Sequence, residues 1–289
     1  MARGVTTLAP LALLVAPLMF LGGCGSDVDP PSHYDSYVAL GDSFTSGAGL
    51  PDEISSAGLC AQSRLSYPHL VAEAFDAKLA DASCGGATTE NGTLAQQRTD
   101  GPWPPQLDRL EHSTDLVTVS LGGNDLGWYG DLMFGCSSAA VADPTGSPCQ
   151  QPTTGRADLT ALPAQIGSRL ESLLAEVHRR APKARILLVG YPQLVPAEGT
   201  CPELPLATGD YPFVRAQWEA MDAAMRKAAL AAKVTYVEVL GPSEGHDVCA
   251  GADAWVNGAT QQPGVAAPYH PLRQGQAAVA ELVKRALRE

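Results

Sequence analysis

Short apolar runs alternate along the chain with longer amphipathic segments. The runs lie at residues 36–40, 77–83, 116–121, 184–189 and 234–239, and runs of this length predict buried β-strands. Apolar residues recur at helical spacing in three later segments: Ile166, Leu170, Leu173, Leu174 and Val177; Val214, Trp218, Met221 and Met225; Val279, Leu282, Val283, Ala286 and Leu287. Strands that alternate with helices favour a doubly wound parallel sheet. The pattern therefore predicts one α/β domain with five parallel strands.

Residues suited to acyl-transfer chemistry follow three of these runs. Ser43 lies just after the first run, Gly86 shortly after the second and Asn124 just after the third. Parallel strands end at one edge of their sheet, where ligands bind in such folds. A Ser there can act as a nucleophile, while a main-chain N–H and a carboxamide can hold an oxyanion. Each motif alone is also explained as a plain turn.

His270 precedes Pro271 at the entrance to the last amphipathic segment and can serve as the base for a Ser nucleophile. A structural His at a helix start is the alternative, and the chain has six histidines. With Ser43, Gly86, Asn124 and His270 in this order, the chain from about residue 34 to its end resembles the SGNH, or GDSL-type, hydrolase family.

The resemblance implies a flavodoxin-like three-layer α/β/α sandwich with a five-stranded parallel sheet. It also implies that Ser43 is the nucleophile and His270 the general base. The oxyanion hole would consist of the Ser43 and Gly86 N–H groups and the Asn124 amide.

One position departs from the family pattern. Members often carry an Asp three residues before the His, but residue 267 here is Ala. A main-chain carbonyl can accept the imidazole proton instead, as in secreted actinobacterial-type members with a Ser-His dyad. We expect the Ala267 carbonyl, or one within a residue of it, to orient His270. The alternative is Asp247, which could fold towards the ring. Asp42 and Asp125 are expected to bond backbone N–H groups of their own turns.

These residues together predict a serine carboxylic ester hydrolase, an esterase or lipase, that forms an acyl-enzyme from a lipid or small acyl ester. Deacetylation of an envelope glycan and acyl transfer between lipids need the same four residues and remain alternatives. A binding lipoprotein with a non-catalytic hydrolase fold is the non-enzymatic alternative.

The N-terminal segment has the shape of a bacterial lipoprotein signal. Arg3 precedes an apolar run at 8–21, and small residues lead into Cys24. We therefore expect a signal peptide at 1–23, lipidation of Cys24, a tether at 24–35 and the hydrolase domain at 36–289. The product would be an exported protein, either anchored to the cell membrane by its lipid or secreted. An ordinary secretory signal with a coincidental Cys is the alternative.

Cysteine usage agrees with export. Of seven cysteines, six remain when Cys24 is set aside, an even number suited to an oxidising compartment, and they allow 15 pairings. Local closure and the sequential pairing of the resembling esterases imply Cys60–Cys84, Cys136–Cys149 and Cys201–Cys249. Cys and His spacings typical of zinc sites are absent from the sequence, so we expect no metal and no cofactor.

The charge balance argues against nucleic acid as a partner. The formal net charge is −12, and such a surface repels phosphate backbones. We expect a monomer whose substrate is a small-molecule or lipid ester.

Two stretches rich in Gly, Pro, Ser and Thr, 126–156 and 193–211, are predicted as long loops held by disulfides. In the first, Trp128, Tyr129, Leu132, Met133 and Phe134 either form an apolar wall for an acyl chain or pack as a surface cluster.

Overall fold

The computed structural model describes residues 1, 2, 4, 33–151 and 158–289. Residues from 33 onward belong to the unit Pro31–Glu289, and residues 1, 2 and 4 belong to the unit Met1–Pro30. Cys24, nearly all of the expected signal peptide and most of the expected tether lie outside the described residues. The domain boundaries at 23 and 35 and the lipidation site therefore stay predictions. In the described part, no helix combines the length and apolar character needed to cross a membrane.

Five parallel strands form the sheet, and each lies within or next to one of the predicted apolar runs. They are β1 (Ser36–Gly41), β2 (Lys78–Asp81), β3 (Leu116–Ser120), β4 (Arg185–Val189) and β5 (Thr235–Val237). Their order across the sheet is β2-β1-β3-β4-β5. The direction of the crossovers changes between β1 and β3, so the crevice at their carboxyl ends is the topological switch point. The predicted fold class is confirmed.

Seven α-helical segments accompany the strands in the described residues: α1 (Ser43–Ser46), α2 (Tyr67–Ala74), α3 (Trp128–Gly130), α4 (Cys136–Ala140), α5 (Leu162–Arg180), α6 (Tyr211–Ala232) and α7 (Arg273–Arg288). Short 3₁₀ turns lie at Ser55–Cys60, Thr89–Gly92, Gln106–Arg109, Asp125–Gly127, Pro148–Gln150, Leu159–Ala161, Thr208–Asp210, Gly241–Ser243 and Gly251–Asp253. A π-helical turn, Asp131–Gly135, joins α3 to α4.

The core consists of two layers because successive strand residues face opposite sides of the sheet. Val38 and Leu40 of β1 belong to the cluster that includes the apolar faces of α5 and α6. Tyr37 and Ala39 belong to the other cluster, with α2 and α7. The helical spacing of apolar residues in the sequence marks these buried faces. Because helices cover both sides of the sheet, the fold is a three-layer sandwich.

The prediction of a loop throughout 126–156 was wrong in its first half. Residues 128–140 run through α3, the π-helical turn and α4 without a break. Trp128, Leu132, Met133 and Cys136 recur at helical spacing and are fully buried. Burial of this stripe outweighs the low helix propensity of the intervening glycines.

Three disulfides join Cys60 to Cys84, Cys136 to Cys149 and Cys201 to Cys249. These are the pairs that the family resemblance implied. The first holds the 3₁₀ turn Ser55–Cys60 against the segment that follows β2, which also contains Gly86.

Candidate active site

Ser43 lies at the carboxyl end of β1, as the first residue of the short helix α1. The Asp42 carboxylate accepts a hydrogen bond from the Phe44 N–H at 2.9 Å and so caps this turn. The N–H of Ser43 has no acceptor among the described residues. Ser43 is buried except for about a tenth of its surface, so its hydroxyl sits at the floor of the switch-point crevice.

His270 reaches Ser43 across the chain. Its Nε2 lies 2.7 Å from the Ser43 Oγ, and its Nδ1 lies 2.7 Å from the Pro268 carbonyl oxygen. A carbonyl can only accept, so Nδ1 carries the proton and Nε2 is left as the acceptor facing the Ser43 hydroxyl. This is the tautomer that a general base requires.

Of the carbonyls expected to orient the ring, that of Ala267 or one within a residue of it, the Ala267 carbonyl does not contact the imidazole. It accepts the backbone N–H of His270 at 3.0 Å instead, and the ring acceptor is Pro268, one residue further along. Tyr269 has a left-handed backbone with φ of 62°. This conformation turns the chain between the Pro268 carbonyl and His270, so that the carbonyl oxygen lies against the imidazole of His270.

Among the described residues, no hydrogen bond or ion pair joins Asp247 to His270. Its carboxylate is buried and accepts the Cys249 N–H at 2.8 Å. Both nitrogens of His270 already have partners. No carboxylate completes a triad among the described contacts of this His.

Aromatic rings surround the imidazole and exclude water from it. The Phe44 ring centroid lies 5.0 Å and the Tyr129 centroid 5.7 Å from that of His270. Burial lowers the pKa of His270 to about 4, although the hydrogen bond to Pro268 acts in the opposite direction. The imidazole is therefore neutral, and able to accept a proton, at any pH well above 4.

Asn124 lies at the same edge of the sheet, just beyond β3. Its Nδ2 donates one hydrogen to the Ala87 carbonyl at 3.0 Å, which leaves the second N–H of the amide for a ligand. The turn needs Gly122, whose φ is 112°, because a Cβ at that position would lie 2.8 Å from the Ile166 Cγ2. The hydrogen bond from the Asn124 amide to Ala87 joins the turn after β3 to the segment that follows β2.

The Gly85–Gly86 segment approaches the nucleophile from the β2 side. A Cβ built on Gly85 would lie 4.0 Å from the Ser43 Cβ, and Gly86 has a φ of 79°. The Gly86 N–H has no acceptor among the described residues. The structure thus brings Ser43, His270, Asn124 and the Gly85–Gly86 turn to one crevice, while Ala267 and Asp247 take no part in holding the ring.

Known proteins similar to this chain indicate its family. Residues 39–278 match the model of the GDSL-like Lipase/Acylhydrolase family.

The chain belongs to this family.

Its similar relatives include Lipase 2 of Streptomyces coelicolor, 37% identical over 85% of this chain and 83% of that protein. A lipase of Streptomyces rimosus is 31% identical over 92% of this chain and 91% of that protein. Among solved structures, phospholipase A1 from Streptomyces albidoflavus superposes with a TM-score of 0.73 at 27% identity, covering 88% of this chain and 99% of that one. The extracellular lipase from Streptomyces rimosus superposes with a TM-score of 0.72 at 28% identity, covering 87% and 99%.

In this member of the GDSL-like family, a buried network behind the site was missed by sequence reasoning. The Tyr191 hydroxyl donates to the Asp42 carboxylate at 2.6 Å and accepts the Gly123 N–H at 3.1 Å. Tyr191 therefore connects the residue before Ser43 to the residue before Asn124. Burial raises the pKa of Asp42 to about 7, against the hydrogen bonds from Tyr191 and Phe44. Tyr191 follows β4 closely and so lies at the same sheet edge as Ser43 and Asn124. This position was the signal in the sequence from which its role could have been predicted.

Asp125 was expected to bond N–H groups of its own turn, but its carboxylate binds Thr89 in another turn. Its carboxylate is fully buried and accepts hydrogen bonds from the N–H and hydroxyl of Thr89, with the Arg169 Nη1 at 3.5 Å. Burial raises the pKa of Asp125, although these partners favour its charged form. Asp42 does shape its own turn, whereas Asp125 joins its turn to the one that follows Gly86.

The suggested acyl wall is mostly core. Trp128, Leu132 and Met133 are fully buried, and Trp128 stacks on Trp218. Two members of the set remain near the site: Tyr129, which packs on His270, and the half-exposed Phe134. A small pocket beside Ser43 is lined in part by Tyr129, Tyr191 and Trp218. Within residues 33–151 and 158–289, no cluster of three or more His, Cys, Asp or Glu side chains could hold a metal ion.

Proposed function

We propose that this protein is a serine carboxylic ester hydrolase that cleaves lipid or small acyl esters through an acyl-enzyme. The contact that carries the proposal is the 2.7 Å approach of the His270 Nε2 to the Ser43 Oγ at the switch-point crevice. Its relatives named lipase and esterase support the reaction class. In this proposal Ser43 is the nucleophile, His270 the general base and Asn124 an oxyanion donor.

In the first half-reaction, His270 removes the Ser43 proton as the Oγ attacks the ester carbonyl carbon. The carbonyl π electrons move onto oxygen, and the resulting oxyanion meets the free N–H groups of Ser43 and Gly86 and the free amide hydrogen of Asn124. When the C–O bond breaks, the imidazolium gives its proton to the leaving alcohol. The products are the alcohol and an ester between Ser43 and the acyl group.

In the second half-reaction, water takes the place of the alcohol. His270 removes its proton, the hydroxide oxygen adds to the acyl carbon, and collapse returns the proton to the Ser43 oxygen and frees the acid. The Pro268 carbonyl keeps Nδ1 protonated throughout. It supplies no full negative charge, so the imidazolium is stabilised by a dipole alone.

We also propose that the protein is exported. The three disulfides suit an oxidising compartment, and one protein of similar structure is an extracellular lipase. The finer proposal is a lipid anchor on Cys24, in which case Cys24→Ala releases the protein from the membrane fraction of the producing cell. If attachment is unchanged in this variant, the anchor is refuted. The monomeric state stays a prediction, which light scattering after size exclusion checks.

The test of function is hydrolysis of p-nitrophenyl acetate, butyrate and palmitate by the domain from residue 33 onward. Ser43→Ala is compared with Ser46→Ala, a nearby Ser in the same short helix whose hydroxyl donates to the Ser43 carbonyl and is not among the described hydrogen-bond partners of His270. We expect turnover by the wild type and by Ser46→Ala, and none by Ser43→Ala. Wild-type protein that is folded but hydrolyses none of the esters would refute ester hydrolysis. A glycan deacetylase and a non-catalytic binding lipoprotein would then be the hypotheses to test.

A further inference from the structure

The peptide group between Gly85 and Gly86 has two functional ends. Its N–H, carried by Gly86, is proposed above to face the oxyanion. Its carbonyl oxygen, carried by Gly85, points to the opposite side. The two ends share one delocalised π system, so a group that binds the carbonyl also affects the N–H.

Arg98 binds this carbonyl. Its Nη1 donates to the Gly85 oxygen at 2.6 Å, and its Nη2 donates to the Leu59 carbonyl. Gln96 adds a neutral donor, with Nε2 2.9 Å from the same Gly85 oxygen. The Arg98 side chain is only 18% exposed, so water screens these contacts weakly.

A cation on the carbonyl oxygen draws electron density away from the amide nitrogen. The N–H then becomes a stronger donor, as in any chain of hydrogen bonds whose members polarise one another. Charge-assisted hydrogen bonds are about twice as strong as neutral ones. The effect of Arg98 on the Gly86 N–H therefore exceeds that of Gln96.

We propose that Arg98 is a positioning residue of the oxyanion hole, which orients and polarises the Gly85–Gly86 peptide so that the Gly86 N–H binds the developing negative charge more strongly. The proposal rests on the proposed function and deepens it. Arg98 touches neither Ser43 nor His270 in the described contacts, and it acts through the peptide.

Arg98 is not required merely to anchor the Gly85–Gly86 segment. The Cys60–Cys84 disulfide already joins this segment to the turn that ends at Cys60. The Gly85 N–H joins the same two segments, because it donates to the Cys60 carbonyl at 3.0 Å. Asp100 lies 3.9 Å from the Arg98 Nε and accepts the Leu59 N–H at 2.7 Å. It neutralises part of the guanidinium charge at Nε, whereas Gly85 is bound by Nη1. The contact that the anchors do not replace is the cation on the Gly85 oxygen.

The experiment separates transition-state stabilisation from folding. Arg98→Met, Arg98→Lys and Gln96→Met are compared with Arg64→Met, which removes an exposed Arg from an ion pair with Asp52. For each variant, kcat, KM and the melting temperature are measured with p-nitrophenyl butyrate. The inhibition constant of butylboronic acid is measured as well, because its adduct with Ser43 is a tetrahedral anion with an oxygen in the oxyanion hole.

We expect Arg98→Met to lower kcat about tenfold with KM nearly unchanged. That is less than the ~10²–10³ lost when a donor is removed outright. Butylboronic acid should bind more weakly by a similar factor. Arg98→Lys should recover most of the loss, Gln96→Met should cost less than Arg98→Met, and Arg64→Met should match the wild type.

A kcat for Arg98→Met within about twofold of the wild type would refute the proposal. So would an increase in KM alone, with butylboronic acid bound as tightly as before. If Arg98→Met is poorly folded, Arg98→Ala is assayed with millimolar guanidinium. Rescue by guanidinium and not by sodium at equal ionic strength supports the role of the cation, and the absence of such rescue refutes it. A wild type without esterase activity would refute the proposed function itself, so the two failures are distinguishable.

Discussion

The titration of His270 provides the sharpest test of the active site. A free His has a pKa of 6.5, and burial lowers that of His270 to about 4. The difference corresponds to about 3 kcal/mol that disfavours the imidazolium. Phe44 and Tyr129 pack on the ring, and its polar contacts are the Ser43 hydroxyl and the Pro268 carbonyl. No carboxylate among the described contacts raises this pKa.

Because the base must be neutral, kcat/KM should rise through about pH 4 and stay level above it. At about pH 5, a group with a pKa of about 4 is about 90% neutral, whereas one with a pKa of 6.5 is only about 3% neutral. The assay is kcat/KM for p-nitrophenyl butyrate between about pH 3 and pH 8, with circular dichroism at each pH to show that the protein is folded. An inflection of kcat/KM near pH 6.5 in folded protein would refute the reasoning. It would mean that water reaches the imidazole or that a carboxylate interacts with it.

The pH dependence of the free energy of unfolding supplies an independent check of the pKa of His270. The unfolded chain binds a proton at this His below about pH 6.5, whereas the native state does so only below about pH 4. The His270 contribution is therefore fully present above pH 6.5 and is lost as the pH falls towards 4. Asp42 acts in the opposite sense, because its raised pKa of about 7 makes the native state lose stability as the pH rises from about 4 to 7. As the pH falls from 7 to 4, the free energy of unfolding of His270→Gln should rise by up to about 3 kcal/mol relative to that of the wild type. Urea unfolding at each pH measures this difference.

Three further substitutions test the surroundings of the Ser-His pair. Asn124→Ala should lower kcat by about 10²–10³ with little change in KM, as for loss of an oxyanion donor; an unchanged kcat would remove Asn124 from the oxyanion hole. Tyr191→Phe should cost about 1–3 kcal/mol in urea unfolding, because it leaves buried groups of Asp42 and Gly123 without a partner. A stability equal to that of the wild type would show that the network is not formed. Asp247→Asn should change kcat by less than about threefold, since an Asn oxygen can still accept the local N–H bond; a loss of orders of magnitude in folded protein would restore Asp247 as the third member of a triad.

Much of the scaffold follows from local patterns. The five apolar runs predicted the five strands, and the helical stripes predicted the buried faces of α5, α6 and α7. Short-range periodicity suffices here, because burial on a sheet or helix imposes a repeat of two or 3.6 residues. The prediction was wrong at residues 128–140, where glycines concealed an equally regular buried stripe.

Local patterns in the sequence are enough to predict which residues end the strands, and hence that Ser43, the Gly85–Gly86 turn and Asn124 meet at one edge of a parallel sheet. Which group accepts the hydrogen bond of the His270 ring, Pro268 and neither Ala267 nor Asp247, depends on the folded loop. The choice of acceptor depends on the backbone angles of one loop, and contacts distant in sequence set those angles. The partners of Tyr191 and Arg98 were likewise decided by tertiary structure. Each joins chain segments that come close only after the sheet has formed, and no local pattern records such a contact.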